Sequence, residues 1–218
     1  MSEPYDPAAF PPLAVTVDLV LMTVRDGRLA VLLQRRSEAP HKGGWALPGG
    51  FVGAAESLDA AAQRILADKA GVADAWLEQL YSFGEPDRDP RMRIVTIAYF
   101  ALLPAEALAA ALAGRDDLRL APFDALPPLA FDHRGIVDHA AARLRGKLDY
   151  APVAFALLPP LFTLRALQDV HEAILGTALN KPAFRRRMLD KGWIEGTGTR
   201  EEGGAFRPAE LFRLRVPS

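Results

Sequence analysis

One stretch constrains the fold more than any other part of the chain. From Gly49 to Val72 the sequence reads GGFVGAAESLDAAAQRILADKAGV. The leading glycines allow a sharp turn and close approach of the main chain to a partner. Ser57 then offers a side-chain acceptor for the free N–H groups at a helix start. Leu58, Ala62, Ile65, Leu66 and Lys69 continue at helical spacing, and Gly71 can end the helix in a left-handed conformation. Gly50 is followed after five residues by Glu56, then after seven more by Arg64, and Gly71-Val72 closes the frame. A glycine-rich loop therefore feeds a capped helix at fixed spacing.

Strands are expected on both sides of this frame. LAVTVDLVLMTV alternates at period two, Asp26-Gly27 is a hairpin signal, and RLAVLLQRR is the return strand. Asp18 interrupts the first strand, either as a satisfied structural acid or as a ligand contact. AWLEQLYSFG and RMRIVTIAYFALLP read as further strands joined by EPDRDPR. Residues 104–131 are rich in Ala and Pro and are expected to be surface loop with a short strand or helix. DHRGIVDHAAARLRGKLDY predicts a helix with Ile136, Ala140 and Leu144 on one face. Pro152, Pro159 and Pro160 punctuate the stretch after this helix, placing a domain boundary that divides residues 1–150 from 151–218.

The C-terminal part has its own signals. Thr163 caps a helix with Leu164, Leu167, Val170 and Ile174 on one face, and Gly176 ends it. Asn180 caps the next, with Pro182 in the first turn where proline is tolerated. Phe184, Met188 and Leu189 are expected inward and the run Arg185, Arg186, Arg187 outward, with Gly192 as terminator. WIEGT and RPAELFRLRV are two strands around a Gly-rich tip. Two helices and a hairpin resemble the end of a winged helix.

Composition narrows the function classes. The chain has no cysteine, which excludes disulfides and thiolate metal sites. The opening MSEPYDPAAFPP lacks the basic start and apolar run of a signal peptide, and no long apolar stretch exists, so a soluble, cytoplasmic protein without membrane contact is expected. The net charge is −1, but residues from Ala151 onward carry ten Lys/Arg against seven Asp/Glu while the first 150 carry sixteen against twenty. That modest asymmetry is compatible with a nucleic-acid-binding C-terminal part. The histidines His133, His139 and His171 lack metal-ligand spacing and read as helix-surface or core-edge residues.

The frame from Gly50 to Val72 resembles the Nudix box, G-x5-E-x7-R-E-U-x-E-E-x-G-U, with U aliphatic. Its acids are mostly missing: Ile65, Asp68 and Lys69 stand where the box has Glu. In a regular helix those positions share a face and hold hard divalent cations such as Mg²⁺. Ile65 offers no oxygen, Lys69 brings a positive charge, and Asp68 is one methylene short. Glu56 survives, and the resemblance pairs it structurally with Arg64. No catalytic residue and no metal are expected, Glu56 and Asp68 being the weak metal candidates, and Mg²⁺ enters only if hydrolysis is retained. Three readings are open: a pseudo-enzyme that still binds a nucleoside diphosphate, a hydrolase recruiting other acids such as Glu78, Glu85 or Asp87, or a domain kept for packing or dimerisation.

Both halves together resemble the Nudix-related transcriptional regulators of NAD metabolism, the NrtR type, from about Val15 to Leu214. The segments LPGGFVGAAESLDAAA, EQLYSFGEPDRDPRMRIVTIAYFALLP and LNKPAFRRRML carry the likeness, and the run from Asp138 to Leu189 is its most specific part. The resemblance implies an α+β chain: a Nudix α/β/α sandwich with a mixed sheet, then a small winged helix-turn-helix domain. It also implies a homodimer that senses ADP-ribose or a related NAD-derived nucleotide and reads palindromic double-stranded DNA. On that reading Arg88 and Arg91 meet the pyrophosphate with fork-shaped guanidinium groups, beside Gly49, Gly50 and Asp18. Lys181, Arg185, Arg186 and Arg187 face DNA from the second C-terminal helix, with Arg207 at the base of the hairpin. The alternative is an active Nudix hydrolase of a nucleoside diphosphate-linked substrate.

Overall fold

A computed structural model describes residues 6, 9–73, 75–201 and 208–215. The first hairpin forms as its turn chemistry demands: β1 (Ala14–Arg25) turns at Asp26 and Gly27, both at positive φ, into antiparallel β2 (Arg28–Arg35). Then come β3 (Trp45–Ala46), β4 (Gly49–Phe51), α1 (Leu58–Ile65), β5 (Glu78–Phe83), β6 (Ile94–Leu102), α2 (Ala105–Leu112) and β7 (Leu118–Pro122). These strands make one seven-stranded sheet, with the path β3-β2-β1-β6-β5, β4 joined to β1 and β7 to β2. Only β1 and β6 among these pairs run parallel, so the sheet is mixed. Residues 104–131 thus supply both a helix and a strand.

Helices cover both faces of this sheet. Val17, Leu19 and Leu21 of β1 pack with Ala62, Ile65 and Leu66 under α1, and with Leu108 of α2. Val20 and Met22 point to the opposite face, where α3 (His133–Lys147) lays down Ile136, Ala140 and Leu144, all fully buried. Period-two alternation normally signals one wet face, but here both faces of β1 are dry because each carries helices. By the same alternation Asp18 projects to the α3 side. The core on that side runs on through Phe155 and Phe162 into the C-terminal elements.

Those elements are β8 (Phe162–Thr163), α4 (Leu164–Leu175), α5 (Lys181–Asp190), β9 (Ile194–Arg200) and β10 (Glu210–Leu214), with sheet order β8-β10-β9. Thr163 accepts from Ala166 N at 3.1 Å and Asn180 from Ala183 N at 3.0 Å, capping the two helices. Gly176 and Gly192 end them at positive φ. Phe184 and Met188, one turn apart, face inward. Leu189 does not: it is 44% exposed, because one residue past Met188 the helix has turned about 100° away from the core. Arg207 lies outside the described residues. Among the described residues no helix is long and apolar enough to cross a membrane.

Candidate functional site

The loop between β4 and α1 is fixed by its two surviving box residues. Arg64 holds Glu56 in a fork, Nε to Oε1 at 2.7 Å and Nη2 to Oε2 at 2.8 Å, and Nη2 also reaches Phe51 O. Glu56 accepts a further bond from Gly53 N–H. The Arg64 bond first and the Gly53 bond second hold the Glu56 carboxyl down to about 2. Glu56 is therefore a clamp between loop and helix.

The remaining box positions diverge. After Ile65 the helix widens into a π-helical turn over Leu66–Ala70, which Gly71 ends at φ 69°. The simple i, i+3, i+4 face is consequently not kept. Ile65 is fully buried against Gly50, Asp68 is exposed, and Lys69 bends back to donate from Nζ to Gly49 O. Burial, then the neighbouring Arg36 charge, pushes the Lys69 ammonium below its ordinary pKa. An aliphatic core residue, an outward aspartate and an ammonium do not make a site for a hard dication, which needs several converging oxygens. Among the described residues no three His, Cys, Asp or Glu side chains are grouped to hold a metal.

A cleft of about 200 Å³ opens beside this loop, lined by Asp18, Gly49, Gly50, Phe51, Lys69, Arg88 and Arg91 among others. The structure thus gathers Asp18, both glycines and both loop arginines, from segments far apart in sequence. Glu85 and Asp87 are exposed, and Glu78 is engaged by Lys147 and Arg143 on α3, so none of these acids lines the cleft. Gly49 is there for space: a Cβ would overlap Asp18 Oδ1 and stand 2.9 Å from Val17 O. Arg88 is buried and already held, with Nε and Nη2 donating to Asp132 at 2.9 and 2.7 Å and Nη2 lying 3.6 Å from Asp18. Arg91 is more open, forked onto Asp89, which is held below the usual carboxylate range mainly by that fork.

Sequence reasoning missed Arg36, Phe131 and His133. Arg36 and Arg91 approach the Phe131 ring at 4.7 and 5.9 Å, and Phe131 sits at a positive φ of 55°. Such a backbone state is unusual for a bulky residue and clusters at functional sites. Burial, then Arg91, lowers the pKa of Arg36. His133 is buried, and Leu47 N–H donates to its Nδ1 at 2.9 Å, so its proton sits on Nε2, which faces Asp18 at 3.7 Å. Burial holds the imidazole below its ordinary pKa, despite the pull of Asp18. Four basic side chains (Arg36, Lys69, Arg88, Arg91) against three acidic ones (Asp18, Glu38, Asp89) give the lining a net positive charge suited to an anion.

A second charged surface lies on α5. Lys181, Arg185, Arg186 and Arg187 are all exposed. Arg186 lies 3.7 Å from Asp190 on the outer face, whereas Arg187 lies on the flank, 3.8 Å from Asp149 and over the Phe184 ring. The sheet of β8, β10 and β9 packs beside it.

A mixed sheet between helices, with a glycine loop clamped to a helix and a helix-helix-hairpin unit behind it, defines a Nudix domain joined to a winged helix. The NUDIX domain model matches residues 12–140, and the NrtR DNA-binding winged helix domain model matches residues 154–214. The chain belongs to the NrtR-type branch of the Nudix family. It is 41% identical to the ADPR responsive transcriptional repressor NtrR of Acinetobacter baylyi, over 97% of this chain and 86% of that protein. The crystal structure of Shewanella oneidensis NrtR complexed with a 27mer DNA superposes with a TM-score of 0.81 at 39% identity, covering 92% of this chain and 93% of that one. The NUDIX domain of the same Shewanella protein complexed with ADP ribose matches at TM-score 0.55 and 40% identity, covering 64% of this chain and 94% of that one.

Proposed function

We propose that this protein is a cytoplasmic transcription regulator that binds double-stranded DNA through its winged helix and ADP-ribose, or a related NAD-derived nucleotide, through the cleft, without hydrolysing it. Residues 1–150 form the effector domain and 151–218 the DNA-binding domain. Two copies in a homodimer present α5 to half-sites about one or two helical turns apart. The observation that carries this reading is the anchoring of Lys69 on Gly49 O, with Ile65 buried beside it. Where a hydrolase gathers carboxylates around metal, this cleft places an ammonium and three guanidinium groups, the donor set of a diphosphate receptor. The ADPR responsiveness of the Acinetobacter relative and the DNA and ADP ribose complexes of the Shewanella protein support the same assignment. On this reading no metal cofactor is required.

The test is a mobility-shift titration on DNA from the protein's own promoter region and from NAD-biosynthesis promoters, alongside calorimetry with ADP-ribose. Arg185→Ala with Arg186→Ala should abolish the shift while ADP-ribose binding persists. Parent binding should weaken with salt, each neutralised phosphate adding roughly −0.9 to the log–log slope. Robust ADP-ribose turnover with Mg²⁺ or Mn²⁺ would establish the hydrolase alternative instead.

A further inference from the structure

The two ends of α3 touch the two sites. At its N-terminal end Asp132 holds Arg88, which lines the cleft, in a bidentate fork, and His133, also in the lining, faces Asp18. Its 15 residues span about 22 Å. Near its C-terminal end Arg145 Nε donates to Ile174 O, in the last turn of α4, at 3.0 Å. Just beyond, Asp149 faces Arg187 of α5 at 3.8 Å, and the Asp149 carbonyl accepts from Lys191 Nζ.

Asp132 also stands between two competing partners. It occupies the N-cap position of α3, where aspartate normally accepts from the free N–H groups of the first turn. Here its carboxylate makes no capping bond: both oxygens meet Arg88, the Asp132 backbone is not extended (φ −91°, ψ 14°), and the Gly135 N–H that such a cap would take is held by the Asp132 carbonyl at 2.9 Å, so capping requires Asp132 to leave the fork and turn to the extended conformation. By contrast, α1, α4 and α5 are capped in the ordinary way by Ser57, Thr163 and Asn180.

We infer that Asp132 is the switch element linking the cleft to the DNA-binding helix: a diphosphate that takes the Arg88 guanidinium releases Asp132 to cap α3, and α3 transmits the change through Arg145 and Asp149 to α5. This rests on the regulator reading and adds the route by which its two sites communicate. The ligand makes a differential contact, since Arg88 donates to Asp132 in one arrangement and to phosphate in the other, and without a differential contact no equilibrium shifts. Coupling of this kind changes affinity by about 5- to 150-fold, and reciprocally.

The experiment measures three quantities on the full chain: the ADP-ribose Kd by calorimetry, the DNA Kd by fluorescence anisotropy, and the ratio of DNA Kd values with and without saturating ADP-ribose. Asp132→Asn retains a good capping group but cannot hold the ionic fork. Ligand-free Asp132→Asn should therefore bind DNA as the ADP-ribose-saturated parent does, with a ratio near one, and should bind ADP-ribose more tightly than the parent. Asp149→Asn, distant from the cleft, should keep the parent's ADP-ribose Kd while its ratio falls toward one. Parent-like ratios in both variants, each binding DNA and ADP-ribose, overturn the relay and leave the regulator reading intact. A parent that binds only one ligand, or neither, overturns both.

Discussion

Replacing Lys69 with methionine separates a binding role from a scaffold role. The change keeps an unbranched stem of similar reach and removes the ammonium. Two terms oppose each other in the folded protein. The charge-assisted bond from Nζ to Gly49 O is lost, a loss of about 1.5–3 kcal/mol for its class. Against that, the half-buried ammonium is desolvated and repelled by Arg36, as its lowered pKa records, and methionine relieves both. Terms of opposite sign offset each other, and a net change in stability below about 1 kcal/mol is expected. Ligand affinity has no such offset. A diphosphate loses one charge-assisted donor, about 1.5–3 kcal/mol, or about 10- to 150-fold in Kd. Urea unfolding monitored by tryptophan fluorescence gives the first quantity and titration calorimetry with ADP-ribose the second. Unchanged affinity refutes the placement of the diphosphate at Lys69. A stability loss above about 2 kcal/mol refutes the balance of terms and makes Lys69 a scaffold residue.

The same geometry sets three further outcomes. Gly49→Ala forces a Cβ against Asp18 and the Val17 carbonyl, so it should lose about 1–3 kcal/mol in thermal unfolding and weaken ADP-ribose binding as Asp18 moves. Ile65→Glu, although it restores a box acid, places a carboxylate in a fully buried apolar position, so it should destabilise by at least about 2 kcal/mol without giving Mg²⁺-dependent turnover, as denaturation and chromatographic detection of AMP and ribose 5-phosphate would show. His133 and His171 both have folded pKa values held below the ordinary 6.5, chiefly by burial. Their contribution to stability is fully present above about pH 6.5 and is lost as pH falls toward the folded values, by at most about 1.4 kcal/mol per pH unit for each. Urea midpoints at pH 7.5 and 5.5 test this, and His133→Gln should remove the His133 part of the loss while leaving that of His171.

Local chemistry makes much of this fold legible. Asp26-Gly27 marks the hairpin, Ser57, Thr163 and Asn180 mark three helix starts, and Gly71, Gly176 and Gly192 mark three ends. These signals act within a few residues and need no tertiary partner. The parallel pairing of β1 with β6 and the return of β7 to β2 have no such marker, because those strands meet only through the folded sheet. The same limit hides part of the cleft. Arg36 follows a strand, Phe131 precedes a helix and His133 opens it, and nothing in their immediate neighbours shows that they converge. His133 reads as a helix-edge histidine in sequence; only the Leu47 N–H and Asp18 beside it reveal a cleft residue. Leu189 departs from its expected inward place for a smaller reason: helical angle outweighs hydrophobic character there.

The retention of Glu56 and Arg64 alongside the loss of the metal-binding acids has a physical rationale. Their fork, with the bonds to Gly53 N and Phe51 O, shapes the loop that brings Gly49 and Gly50 against β1. A receptor for a nucleoside diphosphate needs that loop shape as much as a hydrolase does, because both must bring backbone and cations close to phosphate oxygens. It does not need the carboxylates, which would repel an anion unless a dication lay between them. With Ile65 and Lys69 at those positions, the cleft lining carries its own net positive charge, which attracts phosphate directly. The loop geometry and the metal chemistry of the box are therefore separable, and on the receptor reading proposed above this chain keeps the first without the second.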